Sequence, residues 1–310
     1  MPASISIKLN TDAEMPTLGL GTWQSQPGEV EGAVEFALKN GYKHIDTATA
    51  YSNEAEVGQG IKSSGVARTS FFLTTKLDNP DQKDPEAALK YSLEQLGTDY
   101  LDLWLMHWPA PMFDGKTPDK SINWLDTWKK MEEIYKKYPE KVKAIGVSNV
   151  SVEFMEQLLA IATIVPVINQ IELHPSCTQS DVIEFCASKG IAITAYSPLG
   201  SAKYPLLESD IVKKIADKYS VSPATILLSL WANKPNISVL TKSVSNARIE
   251  GNRFRLESTR ILTGCLANKK IIDLSDGDIG ELEAIDKTYH FRKCHPSWTG
   301  WGSLGFPDCK

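Results

Sequence analysis

Phe71-Phe72-Leu73-Thr74-Thr75-Lys76 and, about one helix length later, Leu101-Asp102-Leu103-Trp104-Leu105-Met106-His107 are the segments that decide how this chain folds. Each is a short apolar run with the character of a buried strand, and each closes on a polar side chain able to do chemistry. The same pattern recurs outward in both directions: His44-Ile45-Asp46, Val142-Lys143-Ala144-Ile145-Gly146-Val147-Ser148-Asn149, Val167-Ile168-Asn169-Gln170, Ala192-Ile193-Thr194-Ala195-Tyr196 and Ser238-Val239-Leu240-Thr241-Lys242. The stretches between them predict helices over Glu29–Asn40, Glu54–Ser63, Pro85–Leu96, Trp124–Lys137, Val152–Ile161, Ser180–Lys189 and Ile211–Tyr219. A further helix is predicted over Ala224–Asn233, after the Ser222-Pro223 start signal. Gly41, Gly65, Gly97 and Gly190 suit the left-handed turn that ends a helix.

Strand and helix in alternation, with one extra helix before the last strand and the polar residue always at the strand's C-terminal end, predict an α/β protein of the (β/α)8 TIM-barrel type. In that fold all those ends share one mouth, where active sites sit. Ahead of the first barrel strand, Ile5, Ile7 and Leu9, the polar Asn10-Thr11-Asp12 and then Met15 and Leu18 read as a β-hairpin that plugs the closed end of the barrel. The C-terminal tail from Phe291, with Trp298, Trp301 and Phe306, is expected to arch over the mouth as a loop. A sticky surface segment is the alternative.

Length allows one large barrel or two ordinary domains. Hydrophobic content of 42% and charge of 23%, with no linker-like or low-complexity tract, favour a single domain over 1–310. A net charge of −5 argues against nucleic acid or an anionic membrane surface as partner, since either would want a basic face. Met1–Lys8 has no basic region leading into an apolar one, so a cytoplasmic location is expected, with a monomer or weak dimer as the assembly. The five cysteines, Cys177, Cys186, Cys265, Cys294 and Cys309, form no CxxC pair and read as free thiols, and the histidines lack metal-ligand spacing, so no metal is expected.

Asp46, Tyr51, Lys76 and His107 stand at or just after successive strand ends. Any one of them alone reads as a surface or structural residue; together they can reduce a carbonyl. A phenol is a poor acid at neutral pH, and a neighbouring ammonium is expected to pull its pKa down by stabilising the anion. Lys76 would supply that charge, Asp46 would hold Lys76, and His107 would hydrogen-bond the substrate oxygen. No nucleophile is needed if a cofactor brings hydride.

At these residues the chain resembles the aldo-keto reductase superfamily over nearly its whole length. The resemblance rests on Gly41-Tyr42-Lys43-His44-Ile45-Asp46-Thr47-Ala48 with Tyr51 and Asn53-Glu54, then on Gly146-Val147-Ser148-Asn149, Asn169-Gln170-Ile171-Glu172-Leu173-His174-Pro175, Ala195-Tyr196-Ser197-Pro198-Leu199-Gly200 and Thr241-Lys242-Ser243-Val244. It implies a catalytic tetrad of Asp46, Tyr51, Lys76 and His107, with Tyr51 giving the proton. It implies that Ser148, Asn149 and Gln170 hold the nicotinamide carboxamide, that Tyr196 stacks on the ring, and that Ser197 and Leu199 meet the pyrophosphate. Lys242, Ser243 and Arg248 match positions that bind an adenosine 2′-phosphate, so NADPH/NADP+ is the expected cofactor; Thr22, Trp23, Val244 and Asn252 complete the implied cofactor contacts. Trp23, Trp108 and Trp298 are the expected substrate walls, for a small-molecule carbonyl substrate.

Within the resemblance the chain looks most like fungal aldose or aldehyde reductases and glycerol dehydrogenases. Aldehyde, aldose or small-ketone reduction is the expected activity, with polyol oxidation as the alternative direction and a non-enzymatic cofactor sensor or structural protein as a different class. Three departures stand out. Asp78 follows Lys76-Leu77 where many relatives have Trp, which makes the mouth more polar if the carboxylate faces it. The loop Ser201–Leu207 is too short for a long flap. Arg253–Asp273 is an insertion without a functional reading.

Overall fold

The computed structural model describes residues 6–26, 28–200, 205–252 and 271–310. Ile5, the 201–204 part of the loop after Tyr196, the 253–270 part of the insertion and Cys265 lie outside the described residues. Two short antiparallel strands, β1 (Ser6–Lys8) and β2 (Glu14–Pro16), precede β3 (Leu18–Gly21), β4 (His44–Asp46), β5 (Phe72–Leu77), β6 (Leu103–Met106), β7 (Ile145–Ser148), β8 (Ile168–Glu172), β9 (Ala192–Tyr196) and β10 (Ile237–Thr241). The last eight pair in parallel, in chain order, and β10 closes onto β3 to complete the barrel. Leu18 therefore opens the first barrel strand, pairing with Val239, and is not part of the hairpin.

The helices are α1 (Glu29–Lys39), α2 (Glu54–Ser64), α3 (Pro85–Leu96), α4 (Trp124–Lys137), α5 (Val152–Leu159), α6 (Ser180–Ser188), α7 (Asp210–Tyr219), α8 (Pro223–Ala232), α9 (Asn246–Asn252), α10 (Asp276–Glu283) and α11 (Ile285–Thr288). Helix α3 shows why local sequence suffices to set its ends. Asp84 accepts the Ala87 N–H at 3.2 Å, Pro85 occupies the first turn, and Gly97 takes φ +61° just past the last residue. Helix α5 stops two residues short of the sequence expectation, at Leu159.

The barrel strands are buried along almost their whole length, as parallel strands covered on both faces must be. The hairpin closes the N-terminal end: Ile7, Leu9 and Met15 pack with Phe72, Leu103, Leu105, Val167 and Ile168, and Asn10 Nδ2 donates to the Pro166 carbonyl at 3.2 Å. Met15 is wholly buried there, and burial of that extent stabilises by about 1.5–3 kcal/mol. Gly19 in β3 is set by close approach, because a Cβ there would lie 2.5 Å from His44 Nδ1. His44 is itself sealed inside the barrel, Nε2 against Thr74 Oγ1 at 3.0 Å, and burial depresses it to about 4, so it stays neutral.

The tail is bound to the barrel at several points. Ser151 Oγ, at the start of α5, donates to the Leu304 carbonyl at 2.8 Å. The next residue, Gly305, has φ +79° and would place a Cβ 2.4 Å from that same hydroxyl, so only glycine fits. Trp301 Nε1 donates to Pro111 O at 2.9 Å and Phe306 is buried against Arg292. Of the three tail aromatics, Trp298 alone lines the mouth; Trp301 and Phe306 anchor the tail.

Candidate active site

The C-terminal ends of the barrel strands surround a cleft of about 480 Å³. Asp46 closes β4 and Lys76 lies in β5, and the parallel register that sets Asp46 beside Thr74 brings the lysine over the carboxylate. Lys76 Nζ meets Asp46 Oδ1 at 2.5 Å, with both side chains at most 3% exposed, and also donates to the Thr47 carbonyl at 2.8 Å. The other Asp46 oxygen accepts Gln170 Nε2 at 2.8 Å. That bond was not visible in the sequence, where Gln170 carried only an implied cofactor role.

Tyr51 sits in a single 3-10 turn, Thr49–Tyr51, ended by Ser52 at φ +55°. The turn folds the phenol back over the barrel, so its hydroxyl lies 3.5 Å from Lys76 Nζ. His107, just past β6, is fixed by its N–H to Leu77 O at 3.1 Å and stands edge-on to Tyr51, ring centres 5.6 Å apart. The four residues singled out from strand ends thus converge. Asp46, Tyr51 and His107 line the cleft, while Lys76 lies behind Tyr51, fully buried.

One electrostatic expectation is overturned. Tyr51 was expected to be pulled down by Lys76; instead burial, the Asp46 carboxylate, Cys294 and Asp78 hold its phenol well above the ordinary value of 10.0. The physical reason is that Asp46 at 2.5 Å largely cancels the Lys76 charge seen by a phenol 3.5 Å away, leaving desolvation to win. Burial also pushes the Lys76 ammonium down, against the pull of Asp46. His107 is held well below 6.5 by burial and by Lys76, so its ring is neutral.

Beyond Tyr51 the cleft is walled by Ser148, Asn149, Gln170 and Tyr196. Asn149, at φ +60°, donates to the His107 carbonyl at 3.0 Å and accepts the Tyr196 hydroxyl at 2.7 Å; Ser148 Oγ donates to Gln170 O at 2.8 Å. Thr22 and Trp23 form the opposite side, Trp23 6.4 Å from the Tyr51 ring. Ser197 and Leu199 continue the wall toward Lys242. Ser243, Val244, Arg248 and Asn252 lie past the end of the cleft itself, where Arg248 Nε donates to Ser243 Oγ at 3.3 Å. Lys242 Nζ reaches only the Gln24 carbonyl, and neither it nor Arg248 has a carboxylate within ion-pair distance among the described residues.

At the other end stand Trp108 and Trp298, edge to face at 5.7 Å, and Asp78. The Asp78 carboxylate caps the turn Asn79–Lys83, is pushed up by burial and lines the cleft, so the mouth carries a polar wall. Sequence reasoning gave Lys293, Cys294 and His295 no role at this site, yet they also line the cleft, because the tail brings them there from far along the chain.

Comparison with known proteins agrees with this architecture. Glycerol 2-dehydrogenase (NADP(+)) of Saccharomyces cerevisiae is 41% identical over 325 residues, covering 96% of this chain and 98% of the yeast protein. An aldehyde reductase of the same yeast is 44% identical over 322 residues, covering 97% of this chain and 96% of its own. Among solved structures, the Bombyx mori aldo-keto reductase in complex with NADP superposes with a TM-score of 0.83 at 30% identity, covering 99% of this chain and 100% of that one. The sequence model of the Aldo/keto reductase family matches residues 17–260, and the chain belongs to that family.

Proposed function

We propose that the protein is an NADPH-dependent oxidoreductase that reduces aldehydes, aldoses or small ketones to alcohols, with Tyr51 as the proton donor. The observation that carries the reading is the line from the Asp46 carboxylate through Lys76 Nζ to the Tyr51 hydroxyl, opening beside His107 into a cleft between tryptophan walls. The donor set fits the cofactor. Ser148, Asn149 and Gln170 offer amide and hydroxyl groups for a carboxamide, Tyr196 offers a ring, and Lys242 and Arg248 offer cations without carboxylate partners among the described residues. When bound, reduced nicotinamide supplies a hydride to the carbonyl carbon.

The chain's own residues do the rest. Neutral His107 donates a hydrogen bond to the carbonyl oxygen and orients it. Tyr51 keeps its proton throughout the neutral range, because its phenol is held high, and delivers it to that oxygen as negative charge develops. Lys76 Nζ, 3.5 Å away, is the hydrogen-bond donor that faces the phenolate oxygen left behind, and Asp46 holds Lys76 in position. The same elevated phenol disfavours the reverse direction near neutrality, since alcohol oxidation needs the phenolate as base. Polyol oxidation, the direction named for the yeast dehydrogenase, is therefore expected to speed up as pH rises.

The test is NADPH consumption with glyceraldehyde by the parent and by Tyr51→Phe. The variant should bind NADPH normally and lose roughly 10² to 10⁴ in turnover, the size of a general-acid contribution. Activity within about threefold of the parent would remove Tyr51 from the role.

A further inference from the structure

Glu172, at the C-terminal end of β8, is completely buried and takes no part in the reaction described above. Its Oε1 accepts the backbone N–H of Lys293 at 2.8 Å and its Oε2 that of Cys294 at 2.7 Å. His174 Nε2 lies 2.8 Å from Oε1, while His174 Nδ1 accepts the Ser176 N–H at 3.3 Å, which places the imidazole proton on Nε2, aimed at the carboxylate. Burial works to raise the Glu172 carboxyl, yet His174 and the two amides outweigh it and hold the group below its usual range. A buried anion with three donors is thus aimed at the backbone of the tail, 121 and 122 residues further along the chain.

A third backbone bond ties the same stretch to the loop that follows β8: the Phe291 N–H donates to Ser176 O at 2.8 Å. What these bonds hold is one wall of the cleft. Lys293, Cys294 and His295 line it, and Trp298, three residues on, completes the wall with Trp108. Trp298 itself is half exposed, so its place depends on the backbone that carries it.

We propose that Glu172 is a positioning residue whose carboxylate buckles the 293–298 segment to the barrel mouth and so builds the Trp298 side of the substrate pocket. In its pocket role the proposal rests on the carbonyl-reductase reading. Glu172→Gln keeps the volume but replaces one acceptor with an NH₂ facing N–H donors. The variant should raise KM for a benzaldehyde-type substrate about tenfold while kcat stays within about threefold, and the fluorescence-titrated Kd for NADPH should be unchanged. Trp298→Ala should raise KM in the parent and add nothing in the Glu172→Gln background, because the wall is already lost. Hydrogen exchange of the Lys293 and Cys294 amides should be slow in the parent, despite the exposure of Lys293, and fast in the variant.

Additive KM effects with unchanged exchange would overturn the proposal. Fast exchange at Lys293 and Cys294 in the parent would overturn it without any variant, even if Glu172→Gln fails to fold. A parent that reduces no aldehyde but shows slow exchange there would sink the functional reading and leave the buckle standing.

Discussion

Asp46→Asn is the sharpest perturbation the site offers, because it removes one charge from a pair with no solvent to fall back on. Lys76 is fully buried and its Nζ sits 2.5 Å from Asp46 Oδ1. Losing one member of a buried pair typically costs about 3–5 kcal/mol, since the survivor stays charged and uncompensated. Asn keeps one acceptor and Lys76 keeps the Thr47 carbonyl at 2.8 Å, and neutral hydrogen bonds of that kind return about 1 kcal/mol. Against this, the new NH₂ must face either the Lys76 ammonium or the Gln170 amide at 2.8 Å, both donors, so one contact becomes repulsive. The expected loss is therefore about 2–4 kcal/mol, read at pH 7 as a urea midpoint lower by about 1 M.

The pH dependence gives an independent check. Burial already lowers the Lys76 pKa from 10.5 with Asp46 present, and without Asp46 it must fall further. A cation whose folded pKa is depressed destabilises fully below that pKa, and the cost vanishes as pH rises through it toward the unfolded value. The gap between parent and variant should shrink steadily from pH 7 to 10. Adding Lys76→Met to Asp46→Asn should recover much of the loss at pH 7, as removal of both partners of a buried pair does. A loss under about 0.5 kcal/mol, or one that ignores pH, would refute the picture of a desolvated ion pair.

Three further outcomes follow from the same geometry. His107→Ala should lower turnover with carbonyl substrates and leave NADPH affinity nearly unchanged, and the parent's kcat/KM for reduction should show no inflection from pH 6 to 8, because His107 is already neutral and Tyr51 fully protonated there; a histidine-like inflection would contradict the burial argument. Asp78→Trp should shift kcat/KM toward aromatic over hydroxylated aldehydes, since it replaces a partly desolvated carboxylate in the cleft with apolar area; an unchanged ratio would place position 78 outside the substrate's reach. Lys242→Met with Arg248→Met should weaken NADPH far more than NADH, each charge-assisted contact to a 2′-phosphate being worth ~1.5–3 kcal/mol before solvent screening; equal losses for the two cofactors would exclude these cations as the phosphate site.

What the sequence determined by itself is the part of the protein governed by local rules. A parallel strand covered on both faces is mostly apolar, so the runs ending at Asp46, Lys76, His107, Gln170 and Tyr196 announce both the barrel and the rim on which its chemistry stands. Asp84-Pro85 and Gly97 fix α3 because capping and φ preferences act within a few residues. Only the tertiary structure decided the rest. The Gln170 bond to Asp46 spans 124 residues and the Glu172 grip on Lys293 spans 121, and neither leaves any periodic trace in the chain. Leu18 was legible as apolar but not as barrel rather than hairpin, because both environments want the same side chain and only pairing with Val239 separates them. The Tyr51 phenol was misjudged in direction for a related reason. A neighbouring lysine can be read from spacing, but how much of its charge survives beside Asp46, and how much water is excluded around the phenol, are set by packing from every element at the mouth at once.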